Sequence, residues 1–264
     1  MREQPERLAI GEQGRREPGK EQGKLSGMTP RVYRCPRADQ LWQAQDLQIR
    51  PDDWIDIPWS EPFVDIEGDP SKPPRHQTQV KIAYGEHGLM ILAHMQGPEI
   101  WATLTERDSV IFHDNDIELF LDPDGDGELY LELEMNALNT VWDLVLVRSY
   151  RNGGPPLDSF DVKGLQTAVR IDGELNLANP ANLGWWAHMQ IPYRSLKELA
   201  GKQNFPPQPG DEWRINFSRV HWDAEIVEGR WQKVPDRPEH NWVWSPMGEV
   251  DMHLPDRWGR LQFV

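Results

Sequence analysis

The 264-residue chain has one cysteine, Cys35, which excludes an intramolecular disulfide. It has no apolar run near the roughly 18 residues that a membrane-spanning helix needs. Positive charge is also scarce: 28 Lys and Arg stand against 43 Asp and Glu, for a net charge of −15, and no segment concentrates the basic residues. That balance argues against nucleic acid and anionic membrane as partners. The motifs of common catalytic sites are missing too: there is no G-x-S-x-G turn, no C-x-x-C and no H-E-x-x-H. Catalysis therefore has no visible seat.

Helix-forming periodicity is nearly absent. Only "PYRSLKELAGK" reads as a helix, with Pro192 early, Ser195 as cap, Leu196 and Leu199 on one side and Gly201 at the end. Short runs of alternating apolar and polar residues recur instead, separated by Pro, Gly, Asp and Asn. They include "QVKIAYGEHGLMILAHM", "DIELFLD", "LYLELEM", "VWDLVLV", "GLQTAVRI", "WWAHMQI", "EWRINFSRV" and "GRLQFV". Such spacing predicts an all-β fold, an antiparallel β-sandwich of immunoglobulin-like or jelly-roll-like type with one short helix. Residues 31–264 read as one domain. Residues 1–30 are dominated by Arg, Lys, Glu, Gln and Gly and are expected to form a disordered extension. They contain no apolar centre of signal-peptide length, so the expectation is a chain that is not exported and is cytoplasmic as written, with Met28 as an alternative start.

"LDPDGDGELYLELEMN", Leu121 to Asn136, superficially matches a calcium loop through Asp122, Asp124 and Asp126. An EF-hand needs a bidentate carboxylate at its twelfth position, which here is Leu133, and the flanks have strand rather than helix periodicity. The expected structure is a hairpin turn without metal. Alternation sets Tyr130, Glu132, Glu134 and Asn136 on one face of the second strand and Leu131, Leu133 and Met135 on the other. Glu132 and Glu134 have the spacing of a glycosidase carboxylate pair, but they leave one strand side by side and would reach a ligand from one side. They read as hydroxyl acceptors or as a solvated face, with Arg219 as a candidate to balance them.

Thirteen tryptophans exceed what a sandwich core requires. Trp142 and Trp213 lie in alternating runs and read as core. Trp222, Trp231, Trp242, Trp244 and Trp258 fall in a loop-rich segment, where flat rings beside carboxylates and amides suit sugar recognition. His–Met neighbours at His94, His188 and His253 raise haem ligation, although adjacent strand residues point to opposite faces.

The blocks "IWATLTERDSVIFHDNDIELFLDPDGDGELYLELEMNALNTVWDLVL" and "WSPMGEVDMHLPDRWGRLQF" resemble the family 9 carbohydrate-binding modules, and the resemblance spans about Pro36 to Val264. It implies a β-sandwich that binds saccharides without catalysis, often holds a structural calcium and accompanies a plant-polysaccharide hydrolase. It places a sugar-stacking aromatic at Phe112 and a following glutamate at Glu118. The second aromatic of the clamp would fall on or beside Met252, where no aromatic stands, so Trp242 or Trp244 is expected to replace it. Glu134 and Arg219 complete the expected set as hydroxyl partners. The alternative within the wider kinship of such sandwiches is a b-type haem electron-transfer domain using a Met and a His from different strands. A glycoside hydrolase using Glu132 or Glu134 ranks behind both.

Overall fold

The computed structural model describes residues 29–264, so the extension expected over 1–30 lies, but for its last two residues, outside the described residues. Fifteen strands follow in order. They are β1 (Val32–Cys35), β2 (Val64–Asp65), β3 (Thr78–Tyr84), β4 (Gly88–Gln96), β5 (Asp116–Asp122), β6 (Tyr130–Asn136), β7 (Val141–Leu146) and β8 (Pro156–Leu157). After these come β9 (Gln166–Asp172), β10 (Gly184–Pro192), β11 (Glu212–His221), β12 (Ala224–Val227), β13 (Arg230–Lys233), β14 (His240–Val243) and β15 (Gly259–Phe263). The single α-helix among the described residues, α1, covers only Tyr193–Leu196. Ser195 does not cap it from outside; its hydroxyl donates to the Pro192 carbonyl at 2.7 Å. None of the helices among the described residues is long and apolar enough to cross a membrane.

A nine-stranded sheet runs β1-β15-β11-β5-β6-β7-β8, with β14 joining β11 to β2, and a four-stranded sheet runs β3-β4-β10-β9. The strand β12 pairs with β13 in a separate hairpin. Pairing is antiparallel except at one edge, where β1 lies parallel to β15, with Val32 beside Arg260 and Cys35 beside Phe263. The fold is thus the all-β sandwich that the alternating runs predict, with that one parallel edge added.

Alternation decides what each sheet buries. Ile117, Leu119, Leu131, Leu133 and Phe217 of the large sheet meet Val80, Ile82, Ile91, Ala187 and Met189 of the small one in a shared core. Trp213 closes one end of it against Phe263, ring centroids 4.8 Å apart. Both outer faces are also covered, which the sequence pattern does not reveal. Leu41, Trp54 and Ile57 pack on Ala83, Met90 and Leu92 outside the small sheet. Met247, Met252 and Trp258, from the segment before β15, pack on Phe120, Tyr130 and Leu144 outside the large one. Every residue of β5 and β6 is consequently buried, and the polar face of β6 is not a solvated one.

Gly259 opens β15 where no side chain fits: a Cβ there would lie 2.3 Å from a ring carbon of Trp244 and 3.0 Å from the Arg31 carbonyl. We expect Gly259→Ala to lose about 1–3 kcal/mol through overpacking. Urea unfolding would show it as a lower midpoint at unchanged slope.

Candidate functional site

A cleft of about 690 Å3 opens on the outer face of the large sheet. Its floor follows from register. Glu118 of β5 stands opposite Glu134 of β6, which stands opposite Trp142 of β7; in the next row Phe120 faces Glu132 and Glu132 faces Leu144. The strand period of two that sends Ile117 and Leu119 inward sends Glu118 and Phe120 outward. Rim residues come from three connections. Phe112 belongs to the 3-10 turn Ile111–His113, Tyr150 to the turn Tyr150–Asn152, and Met252 and His253 to the segment before β15.

Phe112 is exposed but held from both sides of its peptide. Its backbone N–H donates to Glu134 Oε2 at 3.0 Å, and its carbonyl accepts from Trp222 Nε1 at 2.9 Å. Its ring lies 6.4 Å from that of Trp142 at 32°. Tyr150 rests edge-on against His253, centroids 4.5 Å apart, and the His253 ring meets the Tyr130 hydroxyl at 3.0 Å. The rim segment is fastened down: Arg151 pairs with Asp251 at 2.6 Å and Glu249 at 3.0 Å, Arg257 pairs with Glu249 at 2.8 Å, and Trp258 Nε1 donates to the Met252 carbonyl at 2.7 Å.

Of the residues singled out from sequence, Phe112, Glu118, Glu134 and Met252 come together in this cleft. Arg219, Trp242 and Trp244 do not. Arg219 shares the inward parity of Phe217, so its guanidinium enters the space between the sheets, donating to the Thr78 hydroxyl at 3.0 Å and the Gln96 carbonyl at 2.8 Å. It cannot balance Glu132 and Glu134 on the opposite face. Trp242, paired with Arg219 across β11 and β14, stacks on His221 at 4.8 Å. Trp244 is fully buried, with Nε1 on Glu61 Oε2 at 3.1 Å. Neither tryptophan replaces an aromatic at Met252. Trp142, expected in the core, lines the cleft instead, and Tyr150 joins it unforeseen. An exposed aromatic in the Gly- and Pro-rich stretch "SYRNGGPP" was the available signal for Tyr150.

Electrostatically the floor is unusual. Burial raises the Glu118 carboxyl to about 7, with a contribution from Glu239 and an opposing one from the Ser218 hydroxyl. Burial, reinforced by neighbouring carboxylates, pushes Asp116, Glu132 and Glu134 well above the usual range. Protonated, these groups both donate and accept hydrogen bonds, which suits hydroxyl ligands.

The histidines considered for haem lie against aromatic rings. His94 lies flat on Trp186 at 3.8 Å, and buried His188 meets Trp54 edge-on at 5.3 Å. For calcium, ligand atoms of Asp122, Asp124 and Asp126 lie within 4.8 Å of one another. The donor set, all carboxylate oxygen, fits a hard cation, and Asp124 Oδ1 is buried without a hydrogen-bond partner. The turn is also supported without an ion: Asp122 accepts from Gly125 N–H and Gly127 N–H, both at 2.9 Å, and both glycines have positive φ.

Two outcomes follow from these carboxylates. Asp124 adds to the burial that raises Asp122 to about 6, so Asp124→Ala should leave the melting temperature unchanged or slightly higher, with no response to chelator in either protein. A chelator-induced drop of several degrees in wild type, abolished by the substitution, would put a metal in the loop. At the cleft floor, the folded state keeps the Glu118 proton up to about pH 7 whereas the unfolded chain loses it near the ordinary glutamate value of 4.5. Between those values the folded state holds more protons, so stability falls as pH rises through this window. Denaturation midpoints between pH 5 and 8 should show that fall, and Glu118→Gln should flatten it.

No protein-family model matches the chain, and no curated protein matches it. Solved structures do match in fold. A candidate carbohydrate-binding protein from Bacteroides uniformis superposes with a TM-score of 0.63 at 16% identity, covering 89% of this chain and 100% of that one. A family 9 carbohydrate-binding module from Caldicellulosiruptor kristjanssonii in complex with glucose gives 0.53 at 14% identity, covering 89% and 96%. The same organism's family 9 module in complex with cellotriose gives 0.52 at 15%, covering 88% and 93%. The fold of this chain is therefore that of the family 9 carbohydrate-binding modules.

Proposed function

We propose that the protein binds a saccharide in the cleft on the large sheet and performs no chemistry on it. The observation that carries this reading is the cleft itself, where the rings of Phe112, Trp142 and Tyr150 stand beside the carboxyls of Glu118, Glu132 and Glu134. Pyranose C–H faces pack on aromatic rings, and sugar hydroxyls pair with carboxyl groups that both donate and accept. The volume, about 690 Å3, lies within the range of small-molecule sites. The fold shared with modules solved on glucose and cellotriose supports the same ligand class.

Binding rather than cleavage follows from the direction of approach. All three glutamates rise from adjacent positions of β5 and β6, whereas a glycosidase brackets the scissile bond with carboxylates from two sides. A partner hydrolase acting on plant polysaccharide would supply the chemistry. A calcium, where present, would be held by Asp122 and Asp124 and would stiffen the β5–β6 turn, away from any reaction.

Titration calorimetry with glucose, cellobiose and cellotriose tests the proposal. Binding in the micromolar to millimolar range is expected, with Phe112→Ala and Trp142→Ala each weakening it about tenfold, the scale of losing one well-packed ring contact. Absence of heat with every saccharide at millimolar concentration would overturn it.

A further inference from the structure

The carboxylates of the cleft have no counter-ion. Among the described residues, no Lys, Arg or His forms an ion pair with Asp116, Glu118, Glu132 or Glu134; the charges that raise them are other carboxylates, and the one cation that feels any of them, Arg219 beside Asp116, is turned into the space between the sheets. Arg151, the one arginine on the rim, is committed to Glu249 and Asp251. Ionised, such a set is expensive to bury, because buried charges are stable only when paired; without a cation the groups keep their protons, and a bound cation would take the place of those protons.

Three of these groups converge. Ligand atoms of Asp116, Glu118 and Glu134 lie within 4.8 Å of one another. Each has a preoccupied oxygen or none: Asp116 Oδ1 accepts from Val220 N–H at 3.2 Å and Glu134 Oε2 from Phe112 N–H at 3.0 Å. Asp116, with no exposed surface, keeps Oδ2 without any hydrogen-bond partner and belongs to one cluster with the two glutamates that open on the cleft. An ammonium group has three N–H donors and no acceptor. Three oxygens each about 2.8 Å from one tetrahedral nitrogen lie about 4.6 Å apart, a span that fits within the 4.8 Å that bounds the cluster. A divalent ion that prefers six to eight oxygens is served less well by three carboxyls with one oxygen free on most of them. The neighbouring faces of Phe112 and Trp142 add the attraction of aromatic rings for a cation.

We infer that the saccharide this cleft prefers carries an amino group, with its ammonium held by Glu118 and Glu134 and by Asp116 behind them. The inference rests on the saccharide-binding reading and narrows it to amino sugars.

The test compares three β-1,4 disaccharides that differ only at the second carbon of each ring: the glucosamine dimer, its N-acetylated form and cellobiose, by calorimetry at pH 7. The glucosamine dimer should bind about tenfold or more tighter than either of the others, the scale of a charge-assisted hydrogen-bond set. Glu118→Gln/Glu134→Gln should erase that preference, weakening the glucosamine dimer at least about tenfold more than it weakens cellobiose; Asp116→Asn, which alters only the buried member, should reduce the preference. Unfolding curves confirm that each variant is folded, and if the double variant fails to fold, the wild-type ranking and Asp116→Asn decide. Cellobiose binding as tightly as the glucosamine dimer would overturn the preference and leave saccharide binding standing. Binding of none of the three would remove both. Calcium chloride alone binding wild type but not the double variant would make the cluster a metal site and overturn the ammonium assignment.

Discussion

Glu118 and Glu134 face each other across β5 and β6, buried and without a cation, and the rest of the molecule has to accommodate that pairing. Like charges directly opposite in a sheet repel, and burial adds a desolvation cost to each. The pair is kept in register by what lies behind it. Leu119 opposite Leu133, and Ile117 opposite Met135, anchor the same strands in the shared core, so the glutamates cannot slip to another face without exposing that apolar set. The floor of the cleft is thus a local conflict that the sandwich overrides.

The buried aspartates nearby show what a resolved conflict looks like. Asp114, two residues before Asp116, accepts from the backbone of Thr103 and Leu104, from the Thr103 hydroxyl and from Asn136 Nδ2 at 2.8–2.9 Å. Asp143 is met by Arg107 and by the N–H of Val162. Structural carboxylates in this chain therefore find donors. Asp116, Glu118, Glu132 and Glu134 form the group where donors run short, and the same group borders the aromatic rim. Local rule-breaking concentrated in a cleft is the pattern expected of a binding site.

Much of this was legible from the chain itself. The alternating runs announced β3 to β7, β9 to β11 and β15, and parity within β6 put Tyr130, Glu132 and Glu134 together. Phe112 and Glu118 follow from the resemblance to the family 9 modules, carried by one contiguous block, the turn Ile111–His113 and the strand β5 after it. What failed was placement that depends on distant segments. Arg219 was assigned to the glutamates although its alternation with Phe217 already pointed it inward. Trp242 and Trp244 sit among loop residues in sequence yet belong to β14 and to the core, because the surrounding polarity describes the connections and not the strand between them. Trp142 shares the face of Leu144 and Leu146 and packs against the same cluster, but it is only half-buried at the cluster's edge and so lines the cleft. The meeting of Tyr150 and Arg151 with Asp251 and His253 spans about a hundred residues and leaves no periodic trace.

The parallel pairing of β1 with β15 bears on how the chain comes into being. Among the described residues, the first strand in chain order has the last as its ladder partner, Val32 beside Arg260 and Cys35 beside Phe263. β11, the other neighbour of β15, likewise waits for it along Glu212 to Ile215. A nascent chain can assemble the four-stranded sheet and the β5–β6–β7 meander early, but it cannot seal that edge until β15 has been made. Closure is therefore a single late event of high sequence separation, and a chain stopped before Gly259 would retain an open flank on β11 ready to pair with a stranger.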